Sequence, residues 1–194
     1  KLIEVAKPAS TADTISQNLV RTTSKKKREA LRELLRSQDI QNAVIFCNRK
    51  RDISTLLASM KRHGFSATGL HGDMTQSARL AALDEFKNGQ IPLLVASDVA
   101  ARGLDIPSVS HVFNFDVPSN AEDYVHRIGR TGRAGRHGHA FTLIAGEDDE
   151  KAILAIEKLT GRPIPFSSNT DRQSKKEHST CLLYTSPSPR DLST

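Results

Sequence analysis

Ala43-Val44-Ile45-Phe46-Cys47 is a short run without a polar interruption, and it gives way at once to Asn48-Arg49-Lys50. A strand with one wet face alternates apolar and polar residues, whereas a strand that is apolar throughout is buried on both faces. The run therefore points to a parallel sheet covered by helices on each side. Working outward, comparable runs recur at 66–70, 93–96, 109–115 and 140–144. Between them the apolar residues take up the helical period. Ile53, Leu56, Leu57 and Met60 form one stripe that ends at Gly64; Leu80, Leu83 and Phe86 form another, begun by Thr75 and stopped by Gly89. After the last run, residues 147–159 put Ile153, Ile156 and Leu159 on one face and stop at Gly161. All three stripes are expected to be core. Alternating strand and helix of this kind is the pattern of layered α/β structure.

Upstream, residues 15–20 read as a first, edge-like strand. Ser24 is expected to cap a helix running to about residue 37, with Ala30, Leu31, Leu34 and Leu35 inward and Lys25 to Arg28 facing solvent. Residues 1–14 read as a linker from an upstream domain, and 15–166 as one domain. From residue 167 the apolar period is lost among Ser, Thr, Pro, Lys and Arg, so 167–194 is expected to be a disordered tail, with 181–194 non-native in character. The chain starts at Lys1, which suggests part of a longer protein.

With 28 Lys and Arg against 22 Asp and Glu, the formal net charge of +6 favours a polyanionic partner. Cys47 and Cys181 have neither metal-ligand spacing nor a disulfide framework, which suggests a reducing, cytoplasmic setting and no metal site. No window is apolar for long enough to span a bilayer, so no membrane role is expected.

In a parallel sheet the carboxyl ends of the strands share one edge, where ligands bind. Asn48, then His71-Gly72-Asp73, then Ser97-Asp98, then Asp116 follow four of the apolar runs to that edge. Turn chemistry alone favours such residues there, so it is their convergence that carries weight. Ser97 stands where a strand gives way to a helical turn, and its hydroxyl and the N–H groups behind it can hold a phosphate. Gly103 permits an unusual turn. Asp105 can then accept from a sugar's hydroxyls, or simply cap the next turn.

Downstream, Tyr124-Val125-His126-Arg127-Ile128-Gly129-Arg130-Thr131-Gly132-Arg133-Ala134-Gly135-Arg136 concentrates arginine and glycine. Arginine offers a planar fork to two phosphate oxygens at once. If 120–130 is helical, His126 and Arg130 share a face, Arg127 adjoins and Arg133 lies just past the end. The plain alternative is a salt-bridged surface helix in which Glu122 and Asp123 pair with His126 and Arg127.

His126 to Arg133 resembles motif VI of the DEAD-box RNA helicases. Leu93 to Val109 resembles their motif V, with Ser97 where threonine is usual. Ala43 to Lys50 resembles motif IV, and Gln76-Ser77-Ala78-Arg79 resembles the Gln-x-x-Arg element after it. The resemblance implies a three-layer RecA-like α/β domain with a mostly parallel central sheet, the second of two such halves. It implies that Arg130 and Arg133 are arginine fingers for ATP, that Gly103 and Asp105 belong to the nucleotide site with Asp105 on the ribose, and that His126 and Arg127 couple the two halves. It further implies RNA-backbone contacts from Asn48, Gly72, Arg79, Ser97 and Arg102. Aromatic residues are only 5% of the chain and Trp is absent, so a base-stacking platform is not expected and binding should be sequence-tolerant.

No Gly-x-x-x-x-Gly-Lys-Ser/Thr loop and no Asp-Glu-Ala-Asp sequence occurs. ATP and Mg2+ would therefore be held mainly by an absent N-terminal RecA-like domain in cis, and this chain alone, expected as a monomer, would not hydrolyse ATP. Two alternatives stay open: a non-catalytic RNA-binding adaptor of the same fold, and a DNA helicase domain of the same superfamily.

Overall fold

The computed structural model describes residues 14–167. Apart from Thr14 and Ser167, the expected linker and tail lie outside the described residues, as does Cys181. In chain order the elements are β1 (Ile15–Arg21), α1 (Lys27–Ser37), β2 (Ala43–Phe46), α2 (Lys50–Arg62), β3 (Ala67–Leu70), α3 (Gln76–Lys87), β4 (Leu93–Ala96), α4 (Asp98–Ala101), β5 (His111–Asn114), α5 (Ala121–Ile128), β6 (Gly138–Ile144) and α6 (Glu147–Thr160). The six strands form one sheet in the order β1-β6-β5-β2-β4-β3, and every pairing is parallel. β1 is an edge strand, as its sequence suggests.

Alternation along each strand feeds two separate cores. Val44 and Phe46 of β2, with Leu94 and Ala96 of β4, pack under α3, α5 and α6, whose inward residues are Leu83, Phe86, Tyr124, Ile128, Ile153 and Ile156. Ala43, Ile45, Leu93 and Val95 pack on the other side against Leu31 and Leu35 of α1 and Ile53, Leu56 and Met60 of α2. All four residues of β2 are at most 2% exposed, so both layers are sealed. Full burial of one such Val, Ile or Phe is worth about 1.5–3 kcal/mol.

Three local expectations are corrected. Ser24 does not cap α1: residues 23–26 close a turn through the Lys26 N–H to the Thr23 carbonyl (2.9 Å), and the helix starts after Lys26 with no side-chain cap. Leu80 and Leu159 are exposed, 46% and 52%. Residues spaced by three drift about 60° per step around a helix of 3.6 residues per turn, so the buried arc of α3 runs through Ala82, Leu83 and Phe86 and leaves Leu80 behind. Leu159 falls off the Ile153–Ile156 face in the same way. Thr75 does cap α3, its Oγ1 accepting from the Ala78 N–H at 3.2 Å.

Candidate nucleotide and RNA site

Register brings Leu70, Ala96, Phe46, Asn114 and Thr142 into one row across the sheet. Just beyond that row the chain turns polar, and one arginine organises it. Arg127, near the end of α5, points inward over the Phe46 ring (5.2 Å) and is 1% exposed. Its Nε and Nη2 grip the two carboxylate oxygens of Asp98 at 2.7 and 2.6 Å. Nη2 also donates to Asn48 Oδ1 (2.7 Å), and Nη1 donates to the Asp116 carbonyl (2.7 Å) and to Asn114 Oδ1 (3.3 Å). A guanidinium has five N–H donors, and all five are used. Asn114 continues the chain by donating to Thr142 Oγ1 at 3.0 Å.

This network bears on three expectations. The surface-helix alternative fails for Arg127, whose acid partner is Asp98 from another element, while Asp123 pairs with Arg102 (3.0 Å) and stands 4.0 Å from His126. Arg127, 1% exposed, ties the ends of β2, β4 and β5 together. Asn48 is drawn into the same network. Its amide donates to the Val117 carbonyl (2.8 Å) while accepting from Arg127, and its backbone N–H donates to Asp116 Oδ2 (3.1 Å). It therefore holds the loop after β5. Neither role was legible from position alone; the one signal was a polar Asn114 closing an otherwise apolar run.

One turn further along, Arg130 behaves differently. It lines a groove of about 320 Å3 with Phe46, Asp98, Arg102, His126 and Arg127. Among the described residues its side chain has no hydrogen bond or ion pair. Partial burial, then the nearby Arg133 guanidinium, lower its pKa from the ordinary arginine value, with Asp105 opposing. A cation held near a like charge and away from water is short of an anion. Arg133 is exposed and donates through Nε to the Gly129 carbonyl at 2.6 Å. His126 is 73% exposed at the groove mouth. Asp105 is 93% exposed and pairs with Lys87 at 3.2 Å rather than capping a turn. Gly103, at φ 78°, makes the turn that frees it.

The arginine loop is anchored below the strand tips. The Val109 N–H donates to the Arg130 carbonyl (2.9 Å), and Thr131 Oγ1 donates to the Ser110 carbonyl (3.0 Å). Gly132 has φ 68°, and a Cβ there would stand 2.6 Å from Ile15 Cγ1. Gly129, at φ −63°, needs no such freedom.

On the far side of the rim, Ser97 Oγ accepts from the Ala100 N–H (3.4 Å), leaving its proton to donate, and Arg79 Nη2 donates to the Ala100 carbonyl (2.9 Å). Arg79 Nε and His71 Nδ1 are buried with no partner among the described residues. Gly72 is exposed beside them, and a Cβ there would meet nothing within 4 Å. The sequence brings His71 to this rim, but no role was assigned to it. Burial and the Asp116 carboxylate push the Cys47 thiol up, so it stays protonated and is no nucleophile. Among the described residues no cluster of three His, Cys, Asp or Glu side chains is arranged for a metal, and no helix is long and apolar enough to cross a membrane.

Residues 26–135 match the helicase conserved C-terminal domain family. The DEAD-box ATP-dependent RNA helicase CshA of Bacillus subtilis is 47% identical over 161 residues, which is 82% of this chain and 32% of that protein. The chain thus spans about a third of the curated relatives it matches. The structure of the C-terminal domain of the DEAD-box protein Dbp5 superposes with a TM-score of 0.75 at 31% identity, covering 86% of this chain and 99% of that one. Dbp5 of S. cerevisiae bound to RNA and ADP BeF3 gives a TM-score of 0.76 at 31% identity, covering 91% and 47%. An all-parallel RecA-like sheet, a buried arginine clamp at its tips and these likenesses agree: the chain belongs to the helicase C-terminal domains of the DEAD-box proteins.

Proposed function

We propose that this chain is the second RecA-like half of an ATP-dependent RNA helicase, completing a cleft whose other wall is an N-terminal domain of the same polypeptide. The observation that carries the reading is Arg130, a half-buried guanidinium that lines a groove, feels the charges of Arg133 and Asp105, and has no partner among the described residues. Such a group suits the terminal phosphate of ATP, where charge builds up during phosphoryl transfer. Arg130 and Arg133 would act as the fingers, each worth about 10³ to 10⁵ in rate. Asp105, freed by the Gly103 turn, would accept from the ribose hydroxyls. Mg2+ finds no carboxylate cluster among the described residues, so its ligands would come from the other half. His126, exposed at the groove mouth, would meet that half directly, with Arg127 positioning the rim beneath.

Gly72, Arg79 and Ser97, with Arg102 from the Arg130 groove, would hold the RNA backbone. The buried unpartnered Arg79 Nε and the free Ser97 proton favour phosphate oxygens, and phosphate contacts carry no sequence information. The solved Dbp5 with RNA and ADP BeF3, similar over most of this chain, supports both ligands. The chain alone, a monomer, would not turn over ATP.

The test joins this chain to a compatible N-terminal DEAD-box domain and measures RNA-stimulated ATP hydrolysis. Arg130→Ala and Arg133→Ala should each lower turnover by about 10³-fold or more. Wild-type turnover in both variants refutes the fingers. RNA binding without any ATPase stimulation selects an adaptor, and preference for DNA in competition selects a DNA helicase.

A further inference from the structure

Away from the rim, α1 and α2 lie side by side over the second core and leave a groove of about 580 Å3 between them. Lys25, Arg28, Arg32 and Arg62 line it against a single carboxylate, Glu29, with Thr55 and Ser59 as neutral walls. Many cations elsewhere have an acid partner: Arg21 with Glu150, Lys27 with Asp116, Lys50 with Asp73, Lys87 with Asp105, Arg102 with Asp123. Among the described residues Lys25, Arg28 and Arg62 have none. Arg32 is half-buried and steadied by one bond, Nη1 to Ser59 Oγ at 3.2 Å, which leaves most of its fork free. Four cations gathered around a single carboxylate repel one another, and a bound polyanion would relieve that repulsion.

We propose that the α1–α2 groove is a second phosphodiester track, taking the backbone of an RNA strand as it leaves the rim. The inference rests on the reading of the rim as an RNA site. Three features favour RNA over an acidic peptide. First, the start of α1, which carries Lys25 and Arg28, reaches the rim: Lys27 Nζ stands 2.9 Å from the same Asp116 that receives the Asn48 N–H. Second, the cations are mostly arginine, and Arg28 and Arg32 are about one helical turn, roughly 6 Å, apart along α1, a spacing that suits consecutive phosphates. Third, Ala58 is the only apolar residue in the lining. Peptide affinity depends on buried aromatic or aliphatic anchors, and this groove has no pocket for one, whereas a phosphate backbone needs none.

The test measures binding of this chain to fluorescent single-stranded RNAs, one short enough to fill the rim alone and one twice its length, over a series of salt concentrations. The longer RNA should bind tighter than the short one. The triple variant Arg28→Gln/Arg32→Gln/Arg62→Gln should lose that gain, and its salt slope on the longer RNA should become shallower by about 2, from three contacts at roughly 0.7 each. Binding of the short RNA should be unchanged. Arg28→Gln alone, at an exposed site, should show a part of the same loss and covers the case in which the triple variant folds poorly. An unchanged length gain and slope in both variants overturns the proposal. Displacement of the longer RNA by polyglutamate as effectively as by unlabelled RNA of equal charge also overturns it, in favour of an acidic protein partner. Arg79→Gln separates the two readings: it should weaken both RNAs, and if it weakens neither while the length gain persists, the rim reading fails and the groove stands.

Discussion

Removing the Arg127 side chain tests the clamp most directly. Arg127→Ala strands one carboxylate, two amide oxygens and a backbone carbonyl, all of which receive N–H bonds from it. Breaking a buried ion pair from one side costs about 3–5 kcal/mol. Asp98 is 25% exposed, so water recovers part of its solvation and the lower end, about 3 kcal/mol, applies. For a domain of this size that is a fall of roughly 6–12 °C in Tm. Arg127→Lys keeps the charge but loses the fork, and should cost about half as much. Urea denaturation followed by circular dichroism on wild type, Arg127→Ala, Asp98→Ala and the double variant gives the coupling between the two groups, expected at about 1.5–3 kcal/mol. A loss under about 0.5 kcal/mol for Arg127→Ala with an unchanged m value, or a coupling near zero, refutes the reasoning.

Other positions yield separate tests. Gly132→Ala forces a Cβ into left-handed backbone 2.6 Å from buried Ile15, and should cost about 2–4 kcal/mol in a urea melt, whereas Gly135→Ala, at φ 74° with open space around it, should cost about 1. Thr75→Ala removes the cap of α3 and should cost about 1 kcal/mol by the same measurement. His111 is buried and stacks on His139 at 4.9 Å; burial first, then the His139 charge, lower its pKa from 6.5 to about 4. The unfolded chain takes up this proton more readily, so the contribution to stability is complete above pH 6.5 and is lost as pH falls toward 4. Between pH 7 and pH 4.5 that amounts to about 2 kcal/mol. In His111→Phe, which fits the Phe113 and Phe141 stack, the fall should shrink by that amount; an equal fall in both proteins removes His111 as the cause.

The layered fold was legible because unbroken apolar runs such as Ala43 to Cys47 have few solutions other than a covered parallel strand. The strand tips were legible for the same reason, since polarity switches there within one residue. What escaped was partner choice. Asp98, Asn114 and Asp116 are separated along the chain, and only the sheet order places all three around Arg127. Sequence spacing on α5 offered Asp123 as the nearer acid, yet a bidentate partner across the sheet tips prevails. Leu80 and Leu159 were misjudged because a three-residue spacing imitates a helix face over two turns and then drifts off it. Arg130 was found by its company of arginines and glycines, but its lack of a partner is visible only in three dimensions.

The placement of β1 bears on how the molecule is made. It is the first strand of the domain to be synthesised, yet it pairs along its whole length with β6, the last, and Thr14 Oγ1 donates to the Gly132 carbonyl 118 residues away. During translation this segment waits without its neighbour until nearly the entire domain has emerged. Closing so wide a loop is slow, and an idle strand with unpaired backbone groups is a hazard meanwhile. A nascent chain halted before Gly138 should therefore be a better client for chaperones than one halted after Ile144.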